Sequence, residues 1–445
     1  MAGAGLIQLV AYGAQDVFLT GSPQITFFKV AYRRHTNFAM ESIDQTFTGV
    51  PDFGKKVTCT VSRNGDLITR AYLQVTLPSV MGYKVNDPDK SGFSWVREIG
   101  HMLIKQVDID IGGQRIDRHY GEWLSIWSSL TLPSGKRDGY DNMIGDVTSL
   151  VGTPKTVGLA GNTKHASEQS GDNTVPSRVL YIPLMFWFNR HPGLALPLIA
   201  LQYHDVKFNF DFRPLNECYR GKYDPNQVPS LVETTLYIDY VYLDTDERRR
   251  FALAQHEYLV EQLQFTGDES MSGASNKIKL SFNHPVKELI WVVQSSVCTD
   301  SAPSDAGALT GNNVLDWTNY TTRPELGAGK NPVKTAKLQL NGHDRFTERK
   351  GSYFNLVQPY QHHTNIPMNG INVYSFALNP EEHQPSGTLN FSRIDNATLQ
   401  LTLEDELYRP PGLPAASVQP KIKIFAVNYN VLRIMSGMGG LSYAS

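Results

Sequence analysis

Period-two alternation of apolar and polar residues dominates the chain. Val57-Thr58-Cys59-Thr60-Val61 alternates, Arg63-Asn64-Gly65-Asp66 has turn chemistry, and Leu67 to Leu77 is rich in Ile, Tyr, Val and Thr. Together they predict a β-hairpin. Val107, Ile109 and Ile111 alternate with Asp108 and Asp110 before a Gly112-Gly113 turn, where the glycines are expected to take positive φ. Tyr181 to Phe188 and Leu194 to Phe212 are apolar enough to predict segments buried on both faces, and Leu236 to Leu243 reads as another strand. Helical patterning is confined to Trp123–Trp127 and Glu247–Ala254.

The second half repeats this programme. Lys56–Val61 is echoed by Lys277–Phe282, and Lys105–Gly113 by Lys334–Gly342. Tyr181–Pro192 is echoed by Tyr374–Pro385, and Tyr237–Arg248 more weakly by Ile424–Arg433. Four echoes in the same order predict two copies of one β-sandwich. The copies are expected at 27–252 and 253–445, with the boundary near Ala252–His256 just after Arg248-Arg249-Arg250. Residues 131–178 and 299–332 lack a core pattern and read as long exposed excursions, where recognition surfaces are usually found.

Composition agrees with an all-β chain. Charged residues are 19% and aromatics 11%, with 36 Gly and 25 Pro among 445 residues. That profile suits many strands and turns and argues against coiled coil or disorder. The formal net charge of −2 predicts no direct nucleic-acid partner, because phosphate coating needs a basic excess or a basic face. The Arg248–Arg250 run is flanked by Asp244, Asp246 and Glu247 and reads as self-compensated. Three dispersed cysteines, Cys59, Cys218 and Cys298, argue against a disulfide framework or zinc site and suit a reducing compartment. The first residues do not read as a signal peptide, Ala2 breaks the myristoylation pattern, and no apolar stretch is long enough to cross a bilayer.

Candidate chemistry mostly fails on inspection. Gly327-Ala328-Gly329-Lys330 lacks a phosphate loop's first glycine, replaced by Pro324, and its hydroxyl residue, replaced by Asn331. Asp108-x-Asp110 lacks the remaining ligands of a calcium loop and reads as a solvated strand edge. His362-His363 reads as an exposed loop, and His204-Asp205 as strand neighbours facing opposite ways. No cofactor, metal site or catalytic group is expected. Asn319, Asn390 and Asn396 open Asn-x-Ser/Thr triplets, of which only Asn319 falls in a loop and stands as a candidate glycosylation site. A carbohydrate-binding or glycan-processing sandwich is the competing reading; it requires an exposed aromatic platform such as Trp95, Trp317 or Tyr320.

Several long blocks are similar to one family. Leu9–Asp16, Leu19–Lys29, Tyr32–Ala39, Ser62–Ile68, Ile111–Asp117, Pro192–His204, Gln384–Gly387, Asn390–Ala397 and Asn428–Leu441 resemble the major capsid proteins of nucleocytoplasmic large DNA viruses, particularly the algal-virus branch. The resemblance implies a double jelly roll: two tandem eight-stranded sandwiches with short helices in loop insertions. It implies a homotrimer with a near-hexagonal outline, a trimer–trimer lattice tiling an icosahedral shell, and no enzymatic activity. It also implies minor capsid and penton proteins as partners, an inner membrane nearby but not inserted, and assembly in the host cytoplasm. Residues 1–26 would form an arm at the inner base of the shell. Ile7, Leu9, Val10 and Tyr12 are the candidate apolar docking strip, and Arg248, Arg249 and Arg250 a candidate contact between subunits or with minor proteins.

Overall fold

Alternating side chains bury one face of a strand, so eight such strands can close on themselves as two packed sheets. The computed structural model describes residues 3–83, 92–152, 166–170, 172–299, 315–323, 329–408 and 419–443. The chain separates into two units, Met1–Phe38 and Ala39–Ser445. Helix Ala4–Val10 belongs to the first, and both sandwiches lie in the second.

The first sandwich is built from β1 (Phe38–Gln45), β2 (Lys56–Thr60), β3 (Leu67–Leu77), β4 (Ile104–Ile111), β5 (Gln114–Tyr120), β6 (Arg178–Pro183), β7 (Val206–Phe212) and β8 (Glu233–Leu243). One sheet has the order β1-β8-β3-β6, and the other contains β2-β7-β4-β5. The second sandwich is built from β9 (His256–Phe265), β10 (Ser275–Leu280), β11 (Pro285–Gln294), β12 (Val333–Leu340), β13 (His343–Asp344), β14 (Ile371–Ser375), β15 (Ala397–Leu403) and β16 (Lys421–Met435). Its sheets run β9-β16-β11-β14 and β10-β15-β12-β13. Adding eight to each label of the first sandwich gives the second, so the double jelly roll is duplicated strand for strand. Even a short accessory pair recurs: Leu196–Pro197 pairs with the start of β3, and Leu389–Asn390 with the start of β11.

Each sandwich has its own core. Leu73, Val75 and Leu180 of one sheet share the first core with Ile109 and Phe208 of the other, and Leu289, Trp291, Val293 and Ile424 share the second with Leu399 and Leu401. The β4–β5 hairpin turns through Gly112 and Gly113 at φ 59° and 84°, as turn chemistry predicts. Its counterpart turns through Asn341 and Gly342 at φ 49° and 84°.

Four strand expectations are corrected. β2 and β3 do not form a hairpin: β2 pairs β7 in one sheet and β3 pairs β8 and β6 in the other. The Arg63–Asp66 turn carries the chain between sheets, a reversal with the same local chemistry. Leu194–Phe212 is not buried throughout; β7 alternates, and irregular chain precedes it. His204-Asp205 lies in that irregular chain, not in a strand. The Tyr181–Tyr374 echo is also out of register, because Tyr181 is half-exposed on the outer face and Tyr374 packs into the second core. An odd-numbered slip exchanges faces.

Candidate assembly surfaces and the seam between the sandwiches

The Gly121–Thr131 helix follows β5 and is buried on almost every side. Leu124 enters the first core, while Trp123, Ile126, Trp127 and Leu130 lie on the outer face of the β9-β16-β11-β14 sheet. There they meet Ile290, Val292, Ile371, Val373, Phe425 and Val427, with Trp123 and Phe425 ring centroids 5.4 Å apart. This spacing of i, i+3, i+4 and i+7 is one helix stripe. It locks the two sandwiches together by hydrophobic burial.

Paired charges flank the aromatic seam. Glu122 accepts from Lys423 Nζ at 3.0 Å and Arg213 Nη2 at 3.3 Å, and the Arg213 guanidinium lies 4.0 Å over the Trp317 ring. Burial pushes the Glu122 carboxyl up, but these two cations hold it below its ordinary value. Glu261 pairs with Arg190 and, at 2.8 Å, with the buried Lys287. Burial again opposes ionisation, yet Arg190, His383 and Lys287 bring Glu261 down to about 2. The buried His363 ring sits 3.0 Å from Glu288 and 2.9 Å from Glu381, edge-on to Trp127. Burial favours neutral imidazole there, but the two carboxylates push His363 up to about 9. The Arg190 guanidinium covers Trp127 at 4.5 Å. These groups compensate one another, and the arrangement cements the seam.

Sequence reasoning missed this network. It placed His363 on an exposed loop because its neighbours are Gln, Thr and Asn, but Glu288 comes from β11 and Glu381 from another loop. It also took Asp108 for a solvated edge. β4 is an interior strand between β7 and β5, and Asp108 is buried with a two-pronged bond to Arg118 at 2.7 Å on each arm.

The proposed contact residues lie in different units. Leu9 and Val10 are 77% and 82% exposed, and Ile7 and Tyr12 are exposed as well. Arg248–Arg250 lie on helix Thr245–Leu253, capped by Asp244, whose carboxylate accepts from Thr245 N–H at 2.8 Å. Arg248 pairs with Asp66 at 3.0 Å and Arg250 with Glu247 at 3.2 Å, while Arg249 is exposed. Of the flanking acids, Glu247 compensates Arg250 as the sequence suggests, whereas Arg248 is paired by Asp66 from the Arg63–Asp66 turn.

Asn319 lies in a loop, as expected, but is only 3% exposed. Its amide donates to the Arg323 carbonyl at 3.0 Å, and its oxygen accepts from Thr321 N–H and Oγ1. An acceptor for a glycan must present that amide to solvent, which this buried and bonded side chain does not do. Gly327 and Ala328 lie outside the described residues. Trp95 and Tyr320 are buried and Trp317 is covered by Arg213, so none forms the platform a carbohydrate-binding reading requires. No helix among the described residues is long and apolar enough to cross a membrane.

Comparison with known proteins agrees with this structural reading. Residues 26–244 match the family described as major capsid protein N-terminus, and residues 247–440 match the large eukaryotic DNA virus major capsid protein family. The chain is 49% identical to the major capsid protein of Phaeocystis pouchetii virus and 42% identical to that of Paramecium bursaria Chlorella virus 1, with 100% of each chain covered in both cases. The quasi-atomic model of the PBCV-1 virus capsid matches with a TM-score of 0.73 at 37% identity, over 94% of this chain and 100% of that one. The Faustovirus major capsid protein, at 13% identity, shares the fold with a TM-score of 0.68, over 95% of this chain and 94% of that one. The chain belongs to the major capsid proteins of the large eukaryotic DNA viruses, as a structural component of the virion shell and not an enzyme.

Proposed function

We propose that three copies of this chain form a capsomer of near-hexagonal outline and that such trimers tile an icosahedral shell. The strand-for-strand duplication carries this reading. Two similar sandwiches per chain give six similar wedges per trimer, so threefold symmetry supplies near-sixfold packing. On this reading residues 27–252 and 253–445 are the two wedges, and residues 1–26 are an arm at the shell's inner base. Ile7, Leu9, Val10 and Tyr12 are its docking strip for minor capsid proteins, with the inner membrane nearby but not entered. Arg249 is the freest member of the Arg248–Arg250 contact with subunits or minor and penton proteins. Assembly takes place in the host cytoplasm, without direct nucleic-acid contact.

Light scattering on purified chain should give a mass of three chains, with hexagonal particles in electron micrographs; a stable folded monomer would overturn the trimer. Deleting residues 1–12 should leave the trimer intact and impair shell assembly. Loss of the trimer would instead place the strip in the contact between subunits.

A further inference from the structure

The two sandwiches carry equivalent helices in unlike surroundings. The Gly121–Thr131 helix has its counterpart in a helical segment beginning at Gly351, with a π turn Tyr353–Val357 running into an α-helix Gln358–His362. Both begin on a glycine pressed against the first residue of an equivalent strand. A Cβ at Gly121 would collide with the Ile104 carbonyl of β4, and one at Gly351 with the Val333 carbonyl of β12. Counting from these glycines, Leu124 corresponds to Phe354, and each enters its own core. Ile126, Trp127 and Leu130 then correspond to Leu356, Val357 and Tyr360. The first three are buried in the seam, whereas the second three are 45%, 40% and 77% exposed.

The sheets that would receive these helices show the same asymmetry. Matching the accessory pairs Leu196–Ile68 and Leu389–Val286 aligns β3 with β11. Tyr72 then falls on Ile290, and its cross-strand partner Tyr237 on Phe425. Gln74 falls on Val292, and its partner Tyr181 on Ile371. Ile290, Phe425, Val292 and Ile371 are the floor on which the Gly121–Thr131 helix rests. Tyr72, Tyr181 and Tyr237 form a cluster in the first sandwich, with Tyr72 stacked on Tyr237 at 5.2 Å between centroids and Tyr181 tilted beside it at 6.2 Å and 41% exposed. Aliphatic residues and Phe suit a floor covered within the chain itself. Tyrosine suits a floor that is wet in the free chain and dry after association.

We infer that the Leu356–Val357–Tyr360 face of one copy packs on the Tyr72–Tyr181–Tyr237 face of a second copy, repeating between chains the contact that joins the sandwiches within a chain. Helix on sheet is a head-to-tail contact, and such a contact closes into a ring when its rotation permits. Alternating internal and external versions of one contact around six wedges closes the ring in three chains. The inference rests on the trimer reading and adds which faces meet.

The test uses full-length chain. Tyr353 corresponds to Trp123 and Tyr237 to Phe425, the pair whose rings meet in the seam. A chain carrying Tyr353→Cys and Tyr237→Cys, treated with a short bismaleimide, should link into species of two and three chains. Each single variant should show at least tenfold less linkage, since Cys59, Cys218 and Cys298 are buried. A second variant, Leu356→Asp with Tyr360→Asp, should retain its sandwich signature by circular dichroism yet scatter as one chain. Wild-type chain that is monomeric removes the trimer reading and this inference with it. Trimers that neither link through this pair nor dissociate on the aspartate substitutions leave the trimer standing and overturn the inference. Linkage only after adding a minor capsid protein also overturns it, giving the face to a different partner.

Discussion

The outer faces of β1-β8-β3-β6 and β9-β16-β11-β14 occupy the same place in two copies of one fold. The second is sealed by Trp123, Ile126, Trp127 and Leu130, whereas the first presents tyrosines to solvent. Duplicating a sandwich creates two such faces and two equivalent helices, and among the described residues the Gly121–Thr131 helix seals its face within the chain while Leu356, Val357 and Tyr360 of its counterpart stay exposed. The difference between the copies therefore separates cohesion from assembly: an internal contact selects for apolar packing, and its external equivalent for residues that tolerate both water and burial.

The largest test of that difference compares equivalent helix positions. Trp127→Ala removes a ring wedged among Trp123, Arg190 and His363 and should cost about 3–5 kcal/mol of stability. Val357→Ala, at the corresponding exposed position, should stay within about 0.5 kcal/mol when the chain is monomeric. Urea unfolding followed by tryptophan fluorescence, in dilute chain whose mass is checked by light scattering, gives both values. Equal effects would mean that the two helices do not play unequal roles.

The next test uses the charges, which gather where the sandwiches meet. His363 is held up at about 9 against an ordinary value of 6.5, so its protonated form stabilises the folded chain. That contribution is complete below about 6.5 and is lost as pH rises through about 9. On the order of 3 kcal/mol is at stake. Native chain should lose stability relative to His363→Gln between those values, in denaturant titrations repeated across the range. A difference between the two proteins that does not change with pH would show that the imidazole is neutral in the seam.

How much of this could be read from the chain depended on how local the physics is. Strands were legible because alternation is a property of neighbours, and the Gly112-Gly113 turn because positive φ restricts residue choice. The Arg250–Glu247 pair was legible because it spans one helical turn. The β2–β3 segment was misread because a turn that reverses a strand looks like one that carries it to the facing sheet. The register of β6 against β14 failed because similar composition does not fix which face is inward. Lys287, Glu288 and His363 were invisible as a site, since charges in a strand and a polar loop normally signify solvent. What buries them is a helix from the other half of the chain.

The smallest test compares the two glycine-bearing turns. Gly113 and Gly342 are equivalent, but Gly112 stands where the second copy has Asn341. Asn341 tolerates its φ of 49° and accepts the Asn396 N–H at 3.0 Å, which ties the turn to the residue preceding β15. In the first copy the place of that side chain is taken by the His204 ring, which a Cβ at Gly112 would strike. His204 Nδ1 in turn accepts the Gly439 N–H at 3.1 Å, so the glycine lets a ring reach the chain's last strand, Met438–Leu441. Gly112→Asn should therefore cost about 1–2 kcal/mol, mainly through displacement of His204 and loss of that bond. The reverse exchange, Asn341→Gly, loses one exposed hydrogen bond and should cost about 0.5 kcal/mol. Calorimetry on the two variants should rank them in that order. Equal melting would mean that His204 moves aside freely, and that the turns differ in sequence without differing in role.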